Sequence, residues 1–316
     1  MHSYTLIAPA KINLYLEIVG DRPDGYHELV MIMQSVGLSD RLTLRPNGAE
    51  EFRLYCADPR VPADNTNLAY RAATLMAGQF PKVFANLGGV DISIEKNIPI
   101  AAGLAGGSAD AAAVLVGLDL VWNLGLTRPE LQALAARLGS DIPFCVAGGT
   151  AMATGRGEIL DPLPDLDGLW VVLAKYNSLA VSTYWAYSAY RECFQENYIS
   201  SPEGVRSRLS EVSSGNLVRA IARKDGVAIG QLLHNDLEKV VLPEYSLVVE
   251  LREVLARSGG LGTMMSGSGP TVFTLCRSRE EAIAIRDNAR QVLPDPDLEF
   301  WVAPLCTSGI QVSSEM

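Results

Sequence analysis

The chain has 316 residues, 48% of them hydrophobic and 20% charged, and a formal net charge of −10 at pH 7. That length suits two domains of ordinary size with substantial cores, and the composition excludes intrinsic disorder. The acidic balance excludes a general binder of nucleic acid or of anionic membranes, so any phosphate site has to be local: glycine amides and a few placed lysines. The five cysteines are scattered without a CxxC pair, and the three histidines show no metal-ligand spacing. The first residues lack a basic stretch followed by a long apolar one, and no apolar run reaches membrane-spanning length. The expectation is a cytoplasmic protein with reduced thiols and neither a nucleic-acid nor a membrane partner.

Residues 1–56 alternate as strands do, with Leu14, Leu16 and Ile18 set against Asn13, Tyr15 and Glu17. Arg22-Pro-Asp-Gly25 is a hairpin turn, its Asp-Gly pair the strong signal, and residues 28–36 return as a second strand. Leu42/Leu44 and Phe52/Leu54/Cys56 continue the alternation, and 57–66 is a polar loop. A helix over 67–77 puts Leu68, Ala72, Leu75 and Met76 on one face. A strand over 90–95, a glycine loop over 99–110 and a helix over 111–118 follow. The next helix carries Leu131, Leu134, Ala135 and Leu138, opens at Thr127 and Pro129, and stops at Gly139. Residues 148–157 read as a glycine-rich strand with close backbone packing. The proline-rich, acidic stretch 161–167 is the best boundary, dividing 1–163 from 164–316. Beyond it the patterns predict a buried strand over 169–174 and helices over 217–223, 227–237 and 244–255. A strand over 271–276, a helix over 280–293 and a strand over 299–303 close the chain. Strands and helices mixed with hairpins give an α+β class in two lobes.

The loop Pro99-Ile-Ala-Ala-Gly-Leu-Ala-Gly-Gly-Ser-Ala-Asp110 organises the rest. It lies between a strand and a helix N-terminus, where unpaired N–H groups and the helix dipole attract anions such as a nucleotide phosphate. It is not a P-loop, because no Lys-Ser/Thr pair follows the glycines, and its spacing is wrong for the dinucleotide fingerprint. By itself it also fits a tight strand–helix turn with Ser108 as N-cap. Ser108 equally suits a phosphate or Mg2+ contact, and Asp110 reads as a carboxylate complementing the helix dipole rather than as a metal ligand. Lys11 by itself fits a strand-end surface charge, and Asp141 an N-cap. Taken with a phosphate loop, the two fit phosphoryl transfer, which needs charge neutralisation and an acceptor for the hydroxyl proton. Since the loop lacks its own lysine, Lys11 is the first candidate for that charge and Lys96 the second. Tyr26-His27, after the Asp-Gly turn, fits either a hairpin shoulder or an aromatic face and imidazole presented to a base. Ser266-Gly-Ser-Gly269 is either a second anion loop or a turn.

Three stretches in the right order resemble the GHMP kinases, the family of galactokinase, homoserine kinase and mevalonate kinase. They are residues 8–13, 99–110 and 265–273. The runs Ala8-Pro-Ala-Lys-Ile-Asn-Leu-Tyr-Leu16, Gly20-Asp-Arg-Pro-Asp-Gly-Tyr-His-Glu-Leu29, Leu138-Gly-Ser-Asp-Ile-Pro-Phe144 and Gly148-Gly-Thr-Ala-Met-Ala-Thr-Gly-Arg-Gly157 resemble one branch of it. That branch acts on CDP-methylerythritol in the non-mevalonate isoprenoid pathway. The likeness spans nearly the whole chain, weakening after Cys276 and in the loop 192–214. It implies a ribosomal-protein-like N-terminal lobe, a ferredoxin-like C-terminal lobe, and phosphorylation of the substrate's 2-hydroxyl with ATP and Mg2+. Another small-alcohol kinase of the family, or a non-catalytic sensor on the same fold, are the alternatives.

The resemblance also implies roles. Lys11 and Asp141 fall on the catalytic pair. Pro99, Ile100, Ala101, Ala102, Gly103, Leu104, Ala105, Gly106, Gly107, Ser108 and Ala109 fall on the ATP phosphate loop, with Asn67 and Lys96 on the nucleotide side and Asn65 a competitor for Asn67. Asn13, Tyr26, His27, Thr183 and Tyr187 fall on the substrate side, Tyr26 and Tyr187 on opposite faces of a cytosine. No protein metal ligand is assigned. Three departures stand out: Ala105 replaces a glycine, so that position is expected to need no positive φ; Ala109 lacks the hydroxyl of a paired serine; and Tyr187 stands where Phe is common, so its hydroxyl needs a partner.

Overall fold

A computed structural model describes residues 2–313 of the chain. Its strands are β1 (Tyr4–Asp21), β2 (His27–Pro46), β3 (Arg53–Cys56), β4 (Val90–Glu95), β5 (Thr150–Gly155), β6 (Ile159–Pro162), β7 (Trp170–Tyr176), β8 (His234–Asn235), β9 (Gly262–Met265), β10 (Val272–Cys276), β11 (Leu298–Pro304) and β12 (Gln311–Val312). Among the described residues they form two sheets. The eight-stranded one runs β12-β1-β2-β4-β3, with β5 and β6 continuing from β2, and β8 beside β1. The four-stranded one runs β11-β7-β10-β9. The long antiparallel pair β1–β2 is the spine, turned at Gly25, whose N–H donates to the Arg22 carbonyl. Two short strands from the second half of the chain, β8 and β12, pair with β1, so the larger sheet is closed by residues far away in sequence.

The helices are α1 (Leu68–Gln79), α2 (Pro81–Leu87), α3 (Gly106–Trp122), α4 (Arg128–Ala136), α5 (Ile142–Ala147), α6 (Thr183–Phe194), α7 (Pro202–Ser213), α8 (Asn216–Ala222), α9 (Gly226–Gln231), α10 (Glu238–Glu244), α11 (Ser246–Arg257) and α12 (Arg279–Val292). Helix α3 is apolar almost all round, as a central helix must be. It packs on β1 and β2 and against α1 and α5. Burial of Val114, Leu115 and Leu118 contributes about 1.5–3 kcal/mol each. At Gly117 the helix comes so close to the sheet that a Cβ would lie 2.7 Å from both Leu6 and Leu44. Helix α4 opens at Thr127 as expected, and a capping box closes its first turn, with Thr127 and Glu130 bonding each other's backbone.

The sheets share their cores. On β7, Val171 and Leu173 join the core under the larger sheet, while Val172 and Ala174 join a second core with α11 and α12. Along β1, Ile12 and Leu14 belong to the first core and Leu16 and Ile18 to the second; the change falls at a register shift between Asn13 and Tyr15.

Three expectations are corrected. The single helix over 227–237 is broken: α9 ends at Gln231, residues 234–235 pair with β1, and α10 starts at Glu238. Its apolar positions are divided between the helix, which keeps Ile229, and the irregular stretches on either side of β8, which carry Leu232, Leu233 and Leu237, a division that helical spacing alone does not reveal. Residues 192–214 are not a loop throughout, because α7 forms there, its first turn capped by Ser201. Residues 183–194 also form a helix, α6, absent from the predicted elements.

Candidate functional site

Register shifts in β1 bracket Lys11 and Asn13, falling between Pro9 and Ala10 and between Asn13 and Tyr15. Such irregularities re-aim side chains. Lys11 and Asn13 share one face of the strand, and Lys11 Nζ donates to Asn13 Oδ1 at 2.7 Å. Lys11 is no surface charge: it is 5% exposed. Its Nζ lies 3.5 Å from Asp141 Oδ2. Asp141 stands at the N-cap position of α5, yet its side chain makes no capping bond, so the carboxylate stays available to the lysine and to the cleft. The two residues that sequence distance could not connect are neighbours.

The glycine loop lies above them. The Lys11 backbone N–H donates to the Leu104 carbonyl at 3.1 Å, tying β1 to the loop. Gly103 has φ +74°, and a Cβ there would lie 2.3 Å from the Ser266 carbonyl oxygen, so no other residue fits. Ser266 Oγ donates to the Gly103 carbonyl at 3.1 Å, and Ser268 Oγ lies 2.9 Å from Thr183 Oγ1. The turn Ser266-Gly-Ser-Gly269 therefore braces the glycine loop and reaches Thr183. Two expectations about the loop are overturned. Ala105 has φ +57°, so the left-handed conformation is required there although the residue is alanine; the helix it precedes dictates the backbone. Ala105, not Ser108, occupies the N-cap position, and Ser108 lies in the first turn of α3, facing the cleft.

Lys96 is buried between two carboxylates, bonded to Asp40 and, at 2.8 Å, to Asp110. Burial opposes its charge, but the two acids outweigh burial and raise its pKa. Asp110 moves far above the usual carboxylate range, chiefly through burial, with Lys96 opposing and Asp40 reinforcing the shift. Asp40 is fully buried, and accepts the backbone N–H groups of Asn97 and Ile98 at 2.6 and 2.9 Å. It thereby anchors the entry to the glycine loop. Asn67 caps α1, accepting the Ala69 N–H at 2.8 Å and donating to the Pro62 carbonyl. It lines the cleft, whereas its competitor Asn65 does not.

On the other side, Tyr26 is 53% exposed and His27 is 7% exposed. The His27 and Tyr187 rings lie 5.2 Å apart, and Tyr198 meets His27 edge-on at 5.9 Å. The Arg156 guanidinium sits 4.8 Å from the Tyr26 ring centre. Burial lowers the His27 pKa, the Arg191 charge pushes the same way and Asp21 opposes. His27 is thus neutral at pH 7, with one donor and one acceptor nitrogen. Its Nε2 is buried without a hydrogen-bond partner. Burial and then the Asp141 charge push the Tyr187 hydroxyl pKa up.

One cleft of about 880 Å³ is lined by Lys11, Asp141, Asn67, Lys96, Tyr26, His27, Thr183, Tyr187 and the loop residues Pro99, Ile100, Ala101, Ala102, Gly103, Ala105, Gly106, Gly107 and Ser108. Asn13, Leu104 and Ala109 are fully buried and lie outside its lining. Asp40, Arg156 and Arg191 escaped the sequence reading. For Arg191 the one available signal was its place one helical turn after Tyr187; Asp40 carried none.

Comparison with known proteins agrees with this architecture. The family model for the N-terminal domain of GHMP kinases matches residues 67–149, and that for the C-terminal domain matches residues 217–295. The chain is 69% identical over 313 residues to a 4-diphosphocytidyl-2-C-methyl-D-erythritol kinase of Microcystis aeruginosa, covering 99% of this chain and 100% of that one. It is 60% identical over 312 residues to the same-named enzyme of Synechocystis sp., covering 99% of each. A crystal structure of a 4-(cytidine 5'-diphospho)-2C-methyl-D-erythritol kinase superposes with a TM-score of 0.72 at 32% identity, covering 95% of this chain and 98% of the other. A homoserine kinase from Cytophaga hutchinsonii, at 19% identity and a TM-score of 0.72, shares the fold. The chain belongs to the GHMP kinase family, in the branch of the 4-diphosphocytidyl-2-C-methyl-D-erythritol kinases.

Proposed function

We propose that this kinase moves the terminal phosphoryl group of ATP to the 2-hydroxyl of 4-diphosphocytidyl-2-C-methyl-D-erythritol. The observation that carries the reading is the meeting of Lys11 and Asp141, 3.5 Å apart, between a glycine loop and an aromatic pocket in one cleft. Asp141 takes the proton of the acceptor hydroxyl as its oxygen bonds to the transferred phosphorus. The bond from that phosphorus to the bridging oxygen breaks, and ADP leaves. Lys11, held by Asn13, offers its ammonium to the oxygens of the transferred group, where negative charge is concentrated. The amides at the start of α3 and the loop hold the ATP phosphates. Neutral His27, with its unpartnered buried nitrogen, suits the edge of a cytosine, and Tyr26 and Tyr187 its faces.

Among the described residues there is no cluster of three or more His, Cys, Asp or Glu side chains arranged to hold a metal. Mg2+ takes few protein ligands beside phosphates and keeps several waters. Bound there, it would neutralise phosphate charge, and the Ser108 hydroxyl, which lines the cleft, would be a protein group to meet it. Among the described residues, no helix is long and apolar enough to cross a membrane.

The test is ADP formation from ATP and Mg2+ with CDP-methylerythritol, homoserine or mevalonate as acceptor. Only the first should support turnover. Asp141→Asn should keep the fold and lose about 10²- to 10⁴-fold in kcat. Near-normal turnover by that variant would remove Asp141 from the role, and activity on homoserine or mevalonate instead would overturn the substrate.

A further inference from the structure

The walls of the aromatic pocket come from distant parts of the chain. Tyr26 and His27 follow the turn between β1 and β2, and Tyr187 lies on α6. Arg191 is one helical turn after Tyr187 on the same helix. Its Nε donates to Asp21 Oδ1 at 2.9 Å, its Nη2 lies 2.8 Å from the same oxygen, and Nη2 also donates to the Gly25 carbonyl at 3.2 Å. Asp21 is the last residue of β1, and Gly25, at φ +85°, immediately precedes Tyr26. A single guanidinium therefore grips both ends of the turn that presents Tyr26 and His27.

We propose that Arg191 is a positioning residue that sets the width of the base pocket by fastening the Tyr26–His27 turn to the helix bearing Tyr187. The proposal rests on the cytidine reading of the site. Three of the five guanidinium donors of an arginine lie on Nε and Nη2. In Arg191 those two nitrogens are directed at the protein, which leaves the residue poorly placed to be a ligand for substrate phosphate. The grip has a second effect. Asp21 Oδ1 is also the nearest acid to His27 Nε2, at 3.9 Å. Engaged by Arg191, it does not close on the imidazole, and His27 keeps that nitrogen without a partner. Electrostatics points the same way, since the Arg191 charge favours the neutral ring.

The experiment compares steady-state kinetics of Arg191→Ala, Arg191→Lys, Asp21→Ala and the double variant Arg191→Ala/Asp21→Ala. Both partners are partly exposed, so their loss should leave the thermal midpoint within about 3 °C of wild type. Arg191→Ala and Asp21→Ala should each raise KM for CDP-methylerythritol about fivefold, with kcat and KM for ATP unchanged. The double variant should be no worse than either single one, and Arg191→Lys should recover part of the loss. Binding of cytidine 5'-diphosphate, read by calorimetry, should weaken in parallel. A normal KM in Asp21→Ala beside a raised one in Arg191→Ala would show that Arg191 touches the substrate directly, and would overturn the proposal. Equal increases in KM for both substrates, or additive losses in the double variant, would overturn it too. Wild-type protein is the control for the underlying reading: failure of wild type to turn over CDP-methylerythritol defeats the substrate assignment, whereas normal wild-type turnover with an unchanged Arg191→Ala defeats only the latch.

Discussion

Single residues in the glycine loop adopt conformations that their identities resist. Ala101 and Ala105 have φ of +50° and +57°. A left-handed L-residue costs roughly 1–2 kcal/mol, and replacing it by glycine loosens the unfolded chain by about 0.4–1 kcal/mol. The first effect is larger. Ala105→Gly should therefore stabilise the protein by about 0.5–1 kcal/mol, raising the thermal midpoint by about 1 °C in calorimetry. A fall in the midpoint would mean that the turn is held without strain. The departure from glycine at this position suggests a relaxed backbone when only the sequence is read, because alanine ordinarily avoids positive φ. The structure shows instead that Leu104, fully buried and accepting from the Lys11 N–H, and α3, starting at Gly106, fix the two sides of residue 105. Lys11 illustrates the opposite case. Its type and place were legible, but its burial was not, because the irregularities that turn it inward leave no mark in the alternation of β1.

At the scale of elements, the junction of β1, β8 and α10 depends on Asp236. This residue is 3% exposed. It accepts the Ile18 N–H at 2.8 Å beside a register shift in β1, contacts His234 Nε2 at 3.1 Å, and accepts from Lys239 at 2.7 Å. Burial alone would raise its pKa, but the bonds from His234, Lys239 and the Ile18 N–H outweigh burial and bring it down to about 2. The folded value lies below the unfolded one, so the stabilisation is complete above about pH 4 and is lost as the pH falls towards 2. Asp236→Asn should cost about 2 kcal/mol in urea denaturation at pH 7, and the difference from wild type should shrink at pH 3. A constant difference across that range would dissociate the charge from the effect. This junction is also where the sequence misled: helical spacing of Ile229, Leu232, Leu233 and Leu237 resembles a single helix, while pairing of residues 234–235 with β1 breaks it in two. Elements whose pattern is satisfied locally, such as α4 with its capping box and the hairpin turn at Gly25, were legible almost to the residue.

For the whole molecule, we propose lobes at 1–163 and 164–316, yet the two are not independent. The core under the larger sheet contains Leu6, Ile12 and Leu44 together with Val171, Met264 and Phe273 of the smaller sheet. The last strand, β12, returns to the edge of β1. Removing either lobe would expose apolar surface on the other, at about 25 cal/mol per Å². Chemical denaturation should accordingly show one transition, superimposable by tryptophan fluorescence and far-ultraviolet circular dichroism. Two separated transitions would establish autonomous lobes.

The placement of Lys96 has a consequence for how anions reach the cleft. An ammonium held in contact with two carboxylates casts no net positive field beyond their immediate surroundings, and the chain as a whole carries −10. Neither the local lysine nor the overall charge draws phosphates in from a distance. In the proposed reaction, capture falls to groups that act only once the ligand has arrived: the loop amides, the start of α3 and the Lys11 ammonium in the cleft. On the proposed reading, phosphate is thus recognised at close range, in a molecule whose net charge does not attract it.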